Sequence, residues 1–95
     1  MNETKYEIKQ TTLFKKDYRL AKKRGKNIQL LREIVIDLAN DQSLPDKNRD
    51  HALTGDWRGF RECHITPDWL LVYKREDDVL VLTLMRIGSH SDLAF

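Results

Sequence analysis

Two apolar runs in the C-terminal half limit the fold more than any other feature of the chain. They are Trp69–Tyr73 (WLLVY) and Val79–Met85 (VLVLTLM), and the charged residues Arg75–Asp78 lie between them. Apolar runs without polar alternation are typical of strands that are buried on both faces. Because the connection is short, the two strands should pair antiparallel. The sequence therefore predicts a hairpin at the centre of a sheet that is covered on both sides.

One further strand precedes this hairpin, and another opens the chain. Arg58–Ile65 ends just before Pro67, which marks a turn. Together with Trp69–Lys74 and Val79–Ile87 it predicts an antiparallel meander. Tyr6–Gln10 alternates in polarity and predicts a short first strand.

Two helices are predicted between the first strand and the meander. Thr11 and Thr12 offer N-caps for the first helix, and Gly25 can end it. Its apolar stripe consists of Leu13, Phe14, Tyr18 and Ala21. The second helix runs from about Asn27 to Asn40, and residues 41–57 have no period and are predicted to be a loop. The order β-α-α-β-β-β predicts an α+β fold in which a helical hairpin packs on a small, mainly antiparallel sheet.

Composition narrows the class of protein. The chain has 95 residues, enough for one domain, and 34% of them are charged, above the average of about 25% for globular chains. Its single cysteine cannot form an internal disulfide and suits a reducing compartment. No apolar segment approaches the roughly 20 residues that span a bilayer, and the first residues lack the apolar core of a signal peptide. We therefore expect a soluble cytoplasmic protein without a membrane partner.

The positive charge is concentrated in the first helix. The net charge is only +2, yet seven of the seventeen basic residues lie between Lys15 and Lys26, with Asp17 as the one acid among them. Such a run can be no more than a solvated helix face, or it can follow a nucleic-acid backbone and bind in a salt-dependent way. The residues predicted to contact RNA phosphates in the second case are Lys15, Lys16, Arg19, Lys22 and Lys23.

Several polar residues should meet at one rim of the sheet. His64 and Asp68 flank the turn between two consecutive strands, so they should lie side by side. Arg86 and His90 end the last strand, beside the start of the middle one if those two strands pair antiparallel. Imidazoles titrate near neutrality, and an arginine can stabilise charge that develops on a phosphate. Such a group could cleave RNA by acid–base catalysis without metal, although His64 and Asp68 could equally be ordinary strand and turn residues.

A metal site is not favoured by the sequence. The three histidines, His51, His64 and His90, are 13 and 26 positions apart, and no His-x-His or Cys-x-x-Cys pair occurs. Cys63 should point to the face opposite its neighbour His64, so we expect it in the core. Trp57 and Trp69 can either stack on bases or fill the rim of the core.

The segments that contain these residues closely resemble YafQ-type toxins of the RelE/ParE superfamily. The resemblance is carried by residues 51–73 (HALTGDWRGFRECHITPDWLLVY) and 86–93 (RIGSHSDL). The order of strands and helices matches over essentially the whole chain, whereas the N-terminal half matches only in its basic, helical character. The resemblance implies one RelE-like toxin domain over residues 1–95.

The resemblance also implies an activity, a site and a partner. It implies a toxin of a type II toxin–antitoxin pair that cleaves mRNA in the ribosomal A site without metal or other cofactor. An antitoxin with a DNA-binding part would wrap the toxin and repress their operon. The implied active-site residues are His51, His64, Asp68, Arg86 and His90, with Trp69 and Phe95 near the substrate.

One departure from the family pattern affects the terminal aromatic residue. The family commonly ends His-x-x-Leu-Phe, whereas here Ala94 stands between Leu93 and Phe95. In a helical turn one extra residue swings a side chain by about 100° around the axis.

Two other functions are compatible with such a fold. One is a ParE-like inhibitor that binds a topoisomerase without chemistry, and the other is a non-catalytic RNA-binding or ribosome-binding regulator. The clustered histidines favour the nuclease, because a pure binding module has no need of groups that titrate near neutral pH. The sequence leaves open whether His51 or His64 is the base, while His90 is expected to be the acid and Arg86 the phosphate stabiliser.

Overall fold

The computed structural model describes residues 3–93, which form a mixed sheet with helices on it. Its strands are β1 (Glu7–Gln10), β2 (His51–Ala52), β3 (Arg61–Thr66), β4 (Trp69–Glu76) and β5 (Val81–Gly88). Its α-helices are α1 (Thr12–Lys23), α2 (Ile28–Ala39) and α3 (His90–Leu93), and two short 3-10 turns span Asp46–Asn48 and Gly55–Trp57. The predicted α+β fold, with its helical hairpin and small mainly antiparallel sheet, is confirmed.

The strand order in the sheet is β1-β5-β4-β3-β2. The pairs β2–β3, β3–β4 and β4–β5 are antiparallel, and β1 pairs parallel with β5 at the edge of the sheet. The central position of β4 explains its composition, since every residue from Trp69 to Tyr73 is buried. The two apolar runs therefore form the predicted hairpin.

Both long helices begin at residues that can cap them. The Thr11 hydroxyl accepts a hydrogen bond from the Phe14 amide at 3.0 Å, and the side-chain carbonyl oxygen of Asn27 accepts from the Gln29 amide. After α1 ends, Gly25 has a φ of +74°, a value that favours glycine. The predicted helix boundaries are thus correct to within one or two residues.

The two faces of the sheet are covered to different extents. The larger cluster lies on the helical side and includes Phe14, Leu38, Cys63 and Leu71. Cys63 is fully buried there, as predicted, and this burial raises the pKa of its thiol to about 12. The opposite face holds a smaller cluster built by Leu70, Val72 and Leu93, with Leu53, Phe60 and Met85 at its margin.

Several details of the predicted strands and helices are wrong. Residues 41–57 are not a continuous loop, because β2 pairs with Arg61 and Glu62 of β3 within it. The second predicted strand, which corresponds to β3, begins at Arg61 rather than Arg58. The last strand begins at Val81 rather than Val79, since β4 continues to Glu76 and the turn moves to residues 77–80. Leu80 closes that turn at a φ of +54°, and Leu13, predicted to be buried in α1, is 52% exposed.

Within residues 3–93, no helix has the length and apolar character that crossing a membrane requires.

Candidate active site

The centre of the candidate site is a hydrogen-bonded pair of side chains, His90 and Asp68. The Asp68 Oδ1 atom accepts from the His90 backbone amide at 3.1 Å and lies 2.6 Å from His90 Nδ1. These two bonds, the backbone one foremost, lower the pKa of Asp68 below its ordinary value of 3.8. The carboxylate is therefore ionised at neutral pH and can only accept, so Nδ1 carries the hydrogen, and Nε2 has no hydrogen-bond partner within residues 3–93.

His64 lies next to this pair. Its ring centroid is 5.6 Å from that of His90, and the ring planes meet at 60°. His64 is half-buried at the end of β3, where the register with β4 shifts, whereas the side chains of His90 and Asp68 are exposed. The predicted meeting of His64, Asp68 and His90 at one rim is therefore what the structure has.

Short-range hydrogen bonds hold His90 in place. The Ser89 hydroxyl accepts from the Asp92 amide, and the Asp92 carboxylate accepts from the Ser89 amide, both at 3.1 Å. This reciprocal cap starts α3 at His90, and Leu93 anchors the far end of the turn in the smaller cluster. A Cβ on Gly88 would lie 2.9 Å from the Asp92 Cβ, so the chain needs glycine where strand and helix meet.

A buried asparagine, Asn48, is hydrogen-bonded to the backbone of His64. Asn48 is only 6% exposed, and its side-chain amide donates to the His64 carbonyl at 2.7 Å. Ile65 is the extra residue of the bulge that follows, since His64 pairs with Leu70 and Thr66 with Trp69. Sequence reasoning missed Asn48, because nothing in its polar segment distinguishes it from its neighbours.

His51 lies in a neighbouring pair with Glu62. Its Nδ1 is 2.6 Å from the Arg49 carbonyl, so this nitrogen carries a hydrogen, and its Nε2 is 3.4 Å from Glu62 Oε1. Because residues two apart in a strand share a face, Glu62 and His64 point to the same side of the sheet. His51 thus lies opposite Glu62, two residues before His64 on β3. Its Nδ1 contacts the Arg49 carbonyl and its Nε2 lies near Glu62, so neither nitrogen is paired with His90. The buried carboxylate of Glu62 was not foreseen from the sequence.

Arg86 has a different partner from the one that the meander suggested. Its Nε and Nη2 atoms donate to the two Asp17 carboxylate oxygens at 2.9 and 3.0 Å, and Asp17 also accepts from the Ile87 amide. The β5 strand has one extra residue here, because Val72 pairs with Arg86 while Tyr73 pairs with Leu84. Such a bulge re-aims the side chain, here toward α1. Asp17 stands out in the sequence as the one acid of the basic run, but nothing there indicates Arg86 as its partner.

The predicted substrate-binding residues have three different placements. The five basic residues of α1 are not buried, and they lie on its solvent side: Lys15, Lys16, Arg19, Lys22 and Lys23. Trp69 is 2% exposed and packs in the larger cluster, which leaves little ring surface for stacking on a base. Trp57 is half-buried, with its ring 5.5 Å from that of Phe60. Phe95 and Ala94 lie outside the described residues.

Comparison with known proteins identifies the family of this chain. Residues 6–95 match the family described as the bacterial toxin of type II toxin–antitoxin systems, YafQ. The protein named mRNA interferase toxin YafQ from Escherichia coli K12 is 38% identical over 88 residues, which cover 92% of this chain and 94% of that protein.

Solved structures of similar proteins share the fold. The E. coli DinJ–YafQ toxin–antitoxin complex contains a chain that is 37% identical, with a TM-score of 0.85 over 94% of this chain and 97% of that one. A metal-bound toxin from Helicobacter pylori is 42% identical, with a TM-score of 0.88 over 93% of this chain and 98% of that one. The match over nearly the whole length, together with the strand order, shows that the chain belongs to the YafQ family of bacterial type II toxin–antitoxin toxins.

Proposed function

We propose that this toxin is an endoribonuclease that cleaves mRNA in the ribosomal A site. The observation that carries the proposal is the 5.6 Å separation of the His64 and His90 rings, with His90 Nδ1 bonded to Asp68. Membership of the YafQ family and the name of the E. coli relative, mRNA interferase toxin, support it.

The two imidazoles divide the chemistry of RNA cleavage between them. His64 takes the proton of the ribose 2′-hydroxyl as its oxygen attacks phosphorus. The bond from phosphorus to the 5′-oxygen breaks, and His90 gives that oxygen a proton, leaving a 2′,3′-cyclic phosphate and a 5′-hydroxyl. Asp68 stabilises the imidazolium form of His90 and so favours His90 as the acid. His64 is the better base because its ring is 5.6 Å from that of His90, whereas His51 Nδ1 bonds to the Arg49 carbonyl and its Nε2 lies 3.4 Å from Glu62.

Arg86 supplies charge to the phosphate. Two of its nitrogens are occupied by Asp17, which fixes the plane of the guanidinium, and Nη1 makes no hydrogen bond within residues 3–93. Nη1 can therefore donate to a phosphate oxygen as negative charge develops there. His51 lies beside Glu62 on the same side of the sheet as His64, where it can contact the substrate.

The proposed partners follow from the exposed charge and the family. The basic face of α1 (Lys15, Lys16, Arg19, Lys22 and Lys23) binds RNA phosphates of the message or the ribosome. In the resting cell a cognate antitoxin covers the toxin in the cytoplasm, by analogy with the complex that E. coli YafQ forms with DinJ. The antitoxin part of the complex binds operator DNA.

Cleavage of mRNA on translating ribosomes tests the proposal. We expect His90→Ala and His64→Ala each to lower the rate of cleavage by about 10²- to 10⁴-fold, because each removes one proton-transfer group. Ser91→Ala is the matched control, since Ser91 is exposed and adjacent to His90. Full cleavage by both histidine variants would contradict the assignment. DNA damage with intact mRNA after induction would instead indicate a topoisomerase inhibitor.

A further inference from the structure

A cavity of about 300 Å³ adjoins the candidate active site between α1, β5 and α3. Its walls include Asp17, Arg24, Lys26, Trp69, Arg86 and Asp92. Trp69 follows Asp68 in the chain, and Ser89, which also lines the cavity, precedes His90. The cavity therefore opens beside the Asp68–His90 pair, and it contains two cations, Arg24 and Lys26, that the proposed acid–base chemistry does not use.

Two of the three cations in this cavity are neutralised within the chain. Arg86 is held by Asp17 through two hydrogen bonds, and both side chains are largely buried. Arg24 Nη1 is 3.0 Å from Asp92, but this pair is exposed (49% and 31%) and so is weak and easily exchanged. Lys26 is exposed and has no carboxylate within 4.0 Å among residues 3–93.

The backbone at Lys26 is fixed by the way in which α1 ends. The Gly25 amide donates to the Lys22 carbonyl at 3.1 Å, and the Lys26 amide donates to the Ala21 carbonyl at 3.0 Å. With Gly25 at positive φ, these bonds form a Schellman motif, which leaves the residue after the glycine in a defined position. Lys26 lines the cavity together with Trp69 and Ser89, the chain neighbours of Asp68 and His90, so it lies on the side of the active site.

We propose that this cavity binds the RNA phosphate that flanks the scissile phosphate, with Lys26 as its principal ligand and Arg24 as the second. The inference rests on the proposed function, because it takes RNA as the substrate. The scissile phosphate must lie between His64 and His90, and the neighbouring phosphate of a single strand is one nucleotide away, at the mouth of this cavity. The ammonium group of Lys26, which has no carboxylate partner and a fixed backbone, can bind one phosphodiester. Arg24 binds the same phosphate once its exposed ion pair with Asp92 is broken.

Binding of a non-cleavable RNA tests the site without reference to catalysis. The probe is a short single-stranded RNA with 2′-O-methyl riboses, titrated with the full-length toxin at several salt concentrations. We expect Lys26→Gln to raise the Kd about tenfold, and to reduce the slope of log K against log[salt] by about 0.7, because one phosphate is no longer neutralised. Lys9→Gln is the control, since Lys9 is an exposed lysine on β1 that loses the same charge.

Uncharged phosphate analogues in the RNA probe show which of its phosphates contacts Lys26. Replacing single phosphates of the probe by methylphosphonates should weaken binding to the wild type at the flanking position, with no further weakening in Lys26→Gln at that position. If Lys26→Gln binds with the wild-type affinity and salt slope, or if its effect adds to that of every methylphosphonate, the inference is overturned.

Ribosome-coupled cleavage separates this inference from the proposed function. Lys26→Gln should raise KM and leave kcat near the wild-type value, because a flanking interaction contributes to binding in the ground state and the transition state alike. A wild-type protein that leaves mRNA intact overturns the proposed function, while the titration still decides the phosphate site. Normal cleavage with an unchanged KM in Lys26→Gln overturns the phosphate site alone.

Discussion

Two carboxylates of this toxin anchor polar networks on the sheet, and their surroundings differ. Asp68 and His90 meet in solvent, with side chains that are 70% and 61% exposed. Asp50 instead accepts from the Tyr73 hydroxyl at 2.6 Å and from Arg61 at 3.3 Å, and Tyr73 is 1% exposed. Burial, then the bond to Asp50, raises the pKa of Tyr73, so its phenol stays protonated and donates.

The comparison shows that burial determines how much each of these two hydrogen-bonded networks contributes to stability. A hydrogen bond whose donor is buried leaves an unsatisfied group when it is broken, so the Asp50 network contributes to stability. An exposed pair can exchange its partners with water at little cost, and its contribution to stability is small. An exposed pair such as Asp68–His90 is compatible with the proton transfer proposed for His90, whereas the Asp50 network fixes the segment that carries His51.

The largest expected effect is on the exposed network. Asp68→Asn removes the charge that stabilises the imidazolium of His90, so cleavage should fall by about 10²- to 10⁴-fold. The midpoint of thermal unfolding should stay near the wild-type value because the pair is exposed. The cleavage rate is measured on ribosomes programmed with mRNA, and the midpoint of unfolding is measured by a thermal melt. Normal cleavage by Asp68→Asn would contradict the role of Asp68 in the reaction. A lower melting temperature would show that the exposed pair contributes to stability, as the buried network does.

The buried network should respond in the opposite way. Tyr73→Phe removes the shorter of the two hydrogen bonds that the half-buried Asp50 accepts and should lower the free energy of unfolding by about 1–3 kcal/mol. Cleavage per folded molecule should be unchanged, since Tyr73 lies on the helical face, away from His64. Urea denaturation measures the decrease, with Tyr18→Phe as the control, because Tyr18 is half-buried and its hydroxyl makes no hydrogen bond within residues 3–93. Equal decreases in both tyrosine variants would show that the network is not stabilising.

Asn48 lies between these two extremes, since it is buried but supports a site residue. Asn48→Ala breaks the bond to the His64 carbonyl and should cost about 1–2 kcal/mol of stability. We also expect cleavage to fall up to about tenfold, as His64 is less well positioned. Asn40→Ala, which removes an exposed bond to the Lys5 amide, provides the comparison in both assays. Reduced stability without any change in rate would make Asn48 a purely structural residue.

The smallest effect concerns acid pH. The pKa of Asp68 is lowered in the folded chain, so its contribution to stability is complete above its ordinary value of 3.8 and is lost as pH falls through the lower, folded value. An NMR titration of the Asp68 carboxyl carbon should have its midpoint below 3.8. In His90→Ala the midpoint should return only part of the way, because the backbone amide of residue 90 is the largest cause. A wild-type midpoint at or above 3.8 would contradict the observed hydrogen bonds.

Much of the fold could be predicted because its signals are local. The two apolar runs place β4 and β5, the caps at Thr11 and Asn27 start both long helices, and Gly25 follows the end of the first. The strand β2 was missed because two residues are too short for a period. The turn before β5 was misplaced because Val79 and Leu80 are apolar although they are exposed.

The sequence by itself determined that His64, Asp68 and His90 would meet, since a short turn and an antiparallel pairing suffice to bring them to one rim. Only the tertiary structure decided the partners of the other charged groups. Asp17 and Arg86 are 69 positions apart, and their pairing depends on a bulge in β5 and on how α1 lies against it. No local pattern encodes such a pairing, because the direction of each side chain is set by packing between elements that are distant in the chain.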